Sequence, residues 1–326
     1  MAVLAASLAL LLFGSPARLA SNKPLTLQLS WRASVANGGY VQALVKGFYR
    51  DCGIEVELRQ GGASIDPSQL LVGGAVDAAQ ISHSDGVMYM NVAGYPARGI
   101  FASTQHTAGS VMIHAGNPIR SVDEMRGRPI MLAATVRSTW WPMLKMRYGF
   151  TDAQIRPYGF STFVNDDSAI SQGVITEGPY LAWIQGHKKV RSFHLPDLGY
   201  DPYAGVLTVS QRLIDSRPAA VQCLVDGSRR GWADYMRDPA PAFAEILRIT
   251  PEVSRGLLEF GFKVMREHHL AESPDTDRLG IGAMTPERWR DHARLLIRAG
   301  LLPANFDVEQ SYDLRFQQTA AAQKSH

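Results

Sequence analysis

Cysteine is nearly missing from this chain. Its 326 residues hold only Cys52 and Cys223, and so wide a spacing excludes a CxxC redox or zinc motif. One follows the first predicted helix and the other falls inside a late one, so two separate free thiols are expected. Charge of one sign is also scarce. The net charge is +3, and the basic residues are scattered, which gives no electrostatic footprint for nucleic acid. The short runs "HKKVR" at 187–191 and "SRRGW" at 228–232 read as solvated surface. The apolar run that opens the chain, Val3 to Phe13, is too short for a bilayer, which takes about 20 residues. There is no GxSxG elbow and no GxxxxGK[ST] phosphate loop, and "GIG" at 280–282 lacks the third glycine of a dinucleotide site. The nine histidines show no metal spacing: His268 and His269 are helical neighbours pointing about 100° apart. No catalytic residue, metal or cofactor is assigned.

What is present is an ordinary globular composition, 46% hydrophobic and 19% charged. The length exceeds what one core serves well, so two lobes are expected. Residues 1–20, with the apolar run followed by Gly14, Ser15 and Pro16, read as a secretory signal and place the mature protein in the periplasm.

Period and punctuation then divide the chain. Gly39 to Arg50 reads as a helix stopped by Gly53, and Ile54, Val56 and Leu58 alternate with Glu55, Glu57 and Arg59 as a strand near a sheet edge. Asp66-Pro67 opens a helix that Gly73-Gly74 ends. Strand "VDAAQIS", helix "DGVMYMNVAG" and strand "RGIFAST" follow, the β-α alternation of a parallel sheet covered by helices. A second unit begins near Val111 with "VMIHA". It continues through a Ser121–Glu124 capping box, strand "PIMLAA", a helix with Pro142 in its first turn, strand "IRPYGF", helix "DDSAISQG" and "VITEGPYLAWIQG". Strand "GVLTVS" returns the chain. Two later helices carry Val221, Leu224, Val225 and Trp232, then Trp289, Ala293, Leu296 and Ile297, as core stripes. The expected architecture is α/β with two lobes, 24–105 plus 206–326 and 106–205, joined by a double crossing. The ligand belongs in the cleft between them, at strand ends.

Those strand ends combine aromatic and polar side chains. The first lobe offers Trp31, Ser82, His83 and Thr104; the second offers Ser138, Trp140, Glu177 and Tyr180, with Tyr203 on the return crossing. Tyr40, on the first helix, completes the candidate ligand-binding set. A planar ring clamped on an aromatic face gains roughly 1–3 kcal/mol per stack, and micromolar binding needs about 8 kcal/mol. Two stacks with one or two charge-assisted hydrogen bonds approach that figure.

Several stretches together carry a family resemblance: "GGYVQALVKGFYRDCGIEVELRQGG", "MRYGFTDAQIRPYGF", "SQGVITEGPYLAWI", "DLGYDPYAGVLTVSQRLIDSRPAAVQCLVDGSRRGW" and "LGIGAMTPERWRDHARLLIRAGLLP". The chain resembles the substrate-binding proteins of bacterial ABC transporters of the thiamine-pyrimidine and sulfonate type, which have the type II periplasmic-binding fold. The resemblance implies a monomeric receptor that does no chemistry. It closes on a small molecule and docks on a membrane permease with its ATPase, meeting the membrane only there. In pyrimidine-binding members an aromatic after the first strand stacks on the ring, and a Thr-x-Glu-Pro-Tyr-like turn contacts the ligand from the other lobe. Carried over, this nominates Trp31, Glu177 and Tyr180; here a glycine stands between acid and proline, in Thr176-Glu177-Gly178-Pro179-Tyr180. The alternatives are a sulfonate or nitrate-type anion, a flavin, or a pyrimidine-precursor synthase on the same fold that consumes its own pyridoxal phosphate and histidine.

Overall fold

A computed structural model describes residues 23–62 and 64–317. The leader expected over residues 1–20 lies outside them. Ten strands run in chain order as β1 Leu25–Gln28, β2 Val56–Arg59, β3 Ala78–His83, β4 Ala97–Thr104, β5 Gly109–His114, β6 Ile130–Leu132, β7 Ile155–Pro157, β8 Ile170–Val174, β9 Val190–His194 and β10 Ala204–Ser210. They form two five-stranded sheets, in the orders β2-β1-β3-β10-β4 and β7-β6-β8-β5-β9. The chain passes between the sheets twice, after β4 and after β9. Each sheet is the centre of an α/β lobe, the type II periplasmic-binding fold.

Composition explains the layering. In β1, "LTLQ" is buried at every position, as befits a strand covered on both faces, whereas the edge strand β2 alternates between buried and wet. One face of the first sheet packs Leu25, Leu27 and Val209 against Tyr40, Val221, Leu224 and Trp232, from helices Gly38–Val45 and Pro218–Arg237. The other face packs Ala79, Ile81 and Val206 against Trp289 and Leu296 of helix Pro286–Arg298. Asp66 caps helix Pro67–Val72 as expected, its carboxylate accepting from the Ser68 amide at 2.8 Å.

Four expectations are corrected. The first sheet is not all parallel: β10 returns from the second lobe and runs antiparallel between β3 and β4. The helix expected over 39–50 breaks into Gly38–Val45 and Phe48–Asp51 at Gly47, whose φ of 73° lies in the left-handed region. "DDSAISQG" is no helix; Asp166 closes a turn on Ser168, and "ISQGV" is β8, paired with β5. The Ser121–Glu124 box does not close, because the Glu124 carboxylate accepts from the Arg120 amide instead.

The thiols are not free either. Cys52 and Cys223 form a disulfide with Cα atoms 5.5 Å apart. Tyr49 of the short helix Phe48–Asp51 lies over Gly227, its hydroxyl 3.0 Å from Ser228 Oγ, and this packing sets the two sulfurs face to face. The bridge spans 171 residues and so encloses the whole second lobe. Closing so long a loop constrains the unfolded chain strongly, so a Cys52→Ala/Cys223→Ala variant is expected to lose about 3–5 kcal/mol of stability. Denaturant titration checks this; equal midpoints for the variant and the oxidised protein would show that the bridge constrains nothing.

Candidate functional site

The loop after β1 is held in place by one buried side chain. Gln80, on β3, accepts through Oε1 from the Ser30 amide at 3.3 Å and from Asn37 Nδ2 at 2.5 Å, and donates to the Ala36 carbonyl at 3.2 Å. Gln60 ties the same loop across the lobe: Oε1 accepts from the Ala33 amide at 2.9 Å and from Thr250 Oγ1 at 3.0 Å. Between these anchors Trp31 is left 50% exposed, a large indole face on a fixed backbone.

Opposite it stands Glu177. This residue begins helix Gly178–Gly186 of the second lobe, yet its side chain makes no capping hydrogen bond. Burial alone raises its pKa, and no neighbouring cation offsets the effect. Trp31 and Glu177 line the same cavity of roughly 140 Å³, closed by Val35, Val253, Leu257 and Leu258. Arg32 and Glu252 pair across its rim.

The lobes meet tightly beside this cavity, along helix Arg255–Glu267. A Cβ on Gly261 would stand 2.8 Å from the Thr176 carbonyl oxygen and 2.9 Å from Val35, and one on Gly256 would overlap the Tyr180 hydroxyl. Tyr180 also packs on Phe260 of that helix, ring centres 5.6 Å apart. Tyr180 therefore sits at the junction between the lobes, next to Glu177.

The remaining nominated residues lie elsewhere. Tyr40 is fully buried between Trp232 and Phe101, and Trp140 belongs to the core of the second lobe. Tyr203 is buried against Trp289, with its hydroxyl accepting from the Thr285 amide at 2.8 Å. Those three rings are committed to packing. His83 and Thr104 sit at the crossings, where His83 Nε2 is 3.1 Å from Thr107 Oγ1 and Thr104 pairs with Ala204. Ser82 is exposed at the end of β3. Ser138 is exposed too, its carbonyl accepting from the Tyr89 hydroxyl at 2.7 Å. Sequence reasoning missed Arg32, Glu252 and Tyr158. Tyr158 is close enough that the Glu177 charge, after burial, raises its pKa. It follows the end of β7 directly, so the rule that selected Trp31 selects it as well.

Among the described residues no group of three or more His, Cys, Asp or Glu side chains could hold a metal ion. No described helix is long and apolar enough to cross a membrane.

Residues 36–242 match the family described as NMT1/THI5 like. The chain belongs to that family. It is 24% identical over 302 residues to the riboflavin-binding protein RibY of Chloroflexus aurantiacus, covering 90% of this chain and 85% of the relative. The periplasmic aliphatic sulphonate-binding protein SsuA of Escherichia coli superposes with a TM-score of 0.66 at 14% identity, over 90% of this chain and 92% of that one. The desulfurization enzyme DszB superposes at 0.61 and 15% identity, over 92% and 99%. At such identities these structures establish the fold alone.

Two pH effects follow from the site and its hinge. Glu177 is protonated more readily folded than unfolded, so its burial opposes folding above its raised pKa and costs nothing below the ordinary 4.5. Glu177→Gln is therefore expected to melt higher than the parent at pH 7.5, with the gap closing at acid pH; a lower melting point at neutral pH would mean an unseen partner for the carboxylate. His83 and His194 run the other way. Burial, the larger cause for each, lowers both below 6.5, against the pull of Asp85 on His83 and of the Thr107 carbonyl on His194. Their contribution is present above that value and lost as pH falls, so stability should decline on acidification from pH 7.5 to 5.5. A His83→Asn/His194→Asn variant should decline less, and an equal decline would place the titration elsewhere.

Proposed function

We propose that this protein is the exported receptor of an ABC importer, and that it closes on a small planar nitrogen heterocycle such as a thiamine pyrimidine precursor. The observation that carries the reading is the pairing of an indole face with a partnerless, partly buried carboxylate in one cavity of ring size. An apolar cavity of about 150 Å³ is known to take benzene, and 140 Å³ here suits one six-membered ring. Trp31 stacks on that ring, and an exocyclic amino group donates to Glu177. Tyr180 and Tyr158 flank the carboxylate from the second lobe. The closed form then docks on a membrane permease, whose ATPase drives uptake from the periplasm; the receptor works as a monomer and touches the membrane only through the permease.

A sulfonate or nitrate is a poor fit, because among the described residues the only cation lining the cavity, Arg32, is already paired with Glu252 while Glu177 stays uncompensated. A flavin is the second reading, favoured by the likeness to RibY. Its three fused rings exceed the present cavity, so it requires a wider closure. An enzyme of the kind that consumes its own histidine finds neither lysine nor histidine in the cavity lining, and both cysteines are tied in the disulfide.

Isothermal calorimetry with an aminopyrimidine, riboflavin and an alkanesulfonate decides among these. Trp31→Ala is expected to weaken aminopyrimidine binding about 5- to 150-fold, the worth of one stack. Its stability should stay within about 1 kcal/mol of the parent, because the side chain is half exposed. Glu177→Gln should cost about 10- to 150-fold, the worth of a hydrogen bond to a charged group. Heat from the sulfonate alone, or affinity untouched by both substitutions, would reject the proposal.

A further inference from the structure

The basic run at 187–191 borders a concavity rather than a flat face. It forms one wall of a cleft of roughly 720 Å³ whose lining includes His114, Asn117, Arg128, Asp167, Lys188 and Lys189. The cleft lies where β5 ends and β8 and β9 begin, at the opposite end of the strands from Glu177, which follows the end of β8. Its far wall is rigidly built. The Arg191 guanidinium donates to the carbonyls of Ala115 at 3.1 Å, Asn117 at 3.2 Å and Ile119 at 2.5 Å, and the Ala115 amide donates to the Lys189 carbonyl at 2.8 Å. Asn117, itself buried, accepts from the Ile119 amide at 3.1 Å.

His114 is the unusual member. It is only 4% exposed and stacks on Phe163, ring centres 4.6 Å apart. Its Nε2 lies 2.6 Å from the Phe163 carbonyl, which can only accept, so the proton of the neutral ring resides on Nε2. Nδ1 is then a buried acceptor, and it has no hydrogen-bond partner. The nearest carboxylate, Asp167, is 3.8 Å away and has no proton to give when ionised. Around this orphan the charge is positive. Lys188 is paired with Asp167 at 2.7 Å, but among the described residues neither Arg128 nor Lys189 has an acidic partner.

Cations alone would suit any anion. Cations beside a lone-pair acceptor call for an anion that also carries an O–H. We propose that this cleft binds a phosphate group, free or as a monoester, whose charged oxygens take Lys189 and Arg128 while its P–OH donates to His114 Nδ1. Inorganic phosphate keeps one such proton at neutral pH, and a monoester, whose second pKa is about 6, carries it only as the monoanion that the site would select; sulfate and carboxylate carry none. For phosphate to reach Nδ1, Asp167, whose side chain is 73% exposed, has to swing outward on its Lys188 pairing. The site is separate from the interlobe cavity and does not depend on what that cavity holds.

Calorimetry and phosphorus NMR on the full-length protein at pH 7, with inorganic phosphate, glycerol phosphate and sulfate, test it. Saturable binding of phosphate, with sulfate failing to compete, is expected. Lys189→Gln and Arg128→Gln, surface changes that should leave melting unaltered, should each weaken it about 10-fold or more. His114→Asn should bring the affinities for phosphate and sulfate together. Sedimentation with vesicles containing phosphatidic acid separates the sources: capture by vesicles without a response to free phosphate assigns a lipid headgroup. Binding of neither, equal binding of sulfate by the parent, or affinity unmoved by Lys189→Gln would overturn the proposal.

Discussion

A carboxylate half-buried at the seam between two lobes, with no hydrogen-bond partner or cation beside it, is the constraint around which the candidate site is arranged. Burying Glu177 works against the charged form, and the fold does nothing locally to relieve it: the residue starts a helix without capping it and has no cation beside it. A structure optimised for stability alone would place a neutral side chain there. What keeps the position sensible is its neighbourhood. Closely packed glycines on helix Arg255–Glu267 bring the turn carrying Glu177 against the first lobe, where the fixed loop presents Trp31.

The crossings show how that closure is carried. Arg288, on helix Pro286–Arg298, lies 4.4 Å over the Tyr203 ring and donates to the carbonyl of Gln105 on one crossing and to Asp201 on the other. Asp201 also holds His106 at 2.7 Å. A few residues further along, Asp85 is gripped from both sides by His292 and Tyr200, and these contacts keep its carboxylate anionic despite full burial. One helix of the first lobe therefore fastens both connecting strands. Any opening must bend the chain where these clamps stop, close to His83, Thr107 and His194.

How much of this could be read from the sequence depended on the range of the interaction. Asp66, the alternation of Val56 to Arg59 and the stripes at Trp232 and Trp289 declare themselves within a turn or a strand, and each was legible. Trp31 and Glu177 were nominated because motif and chemistry agreed on both, and the structure sets the two on one cavity. Tyr40, Trp140 and Tyr203 were chosen by the same liking for aromatics near strand ends, but a ring at a strand end can turn inward as readily as outward, and these three turned inward. The disulfide could not be read at all: 171 residues separate the cysteines, and only the docking of two helices brings them together. β10 was recognised as a strand, but its place between β3 and β4 is decided by the return of the chain from the other lobe. "DDSAISQG" failed because its last residues are short and weakly patterned, and pairing with β5 overrides whatever helical tendency they have.

Selectivity for ligand size then falls on one contact. Widening the cavity from one ring to three would move helix Arg255–Glu267 away from the Thr176–Glu177 turn, where there is no room for a Cβ on Gly261 beside the Thr176 carbonyl. Retreat would also part Tyr180 from Phe260 and wet Glu177, lowering the cost of its charge while weakening any hydrogen bond it makes. Under the proposed reading, a large guest would gain room at the expense of the partly desolvated acid to which an amine-bearing ring would donate. A small one keeps both, because it fits the space left when the two lobes are already in contact.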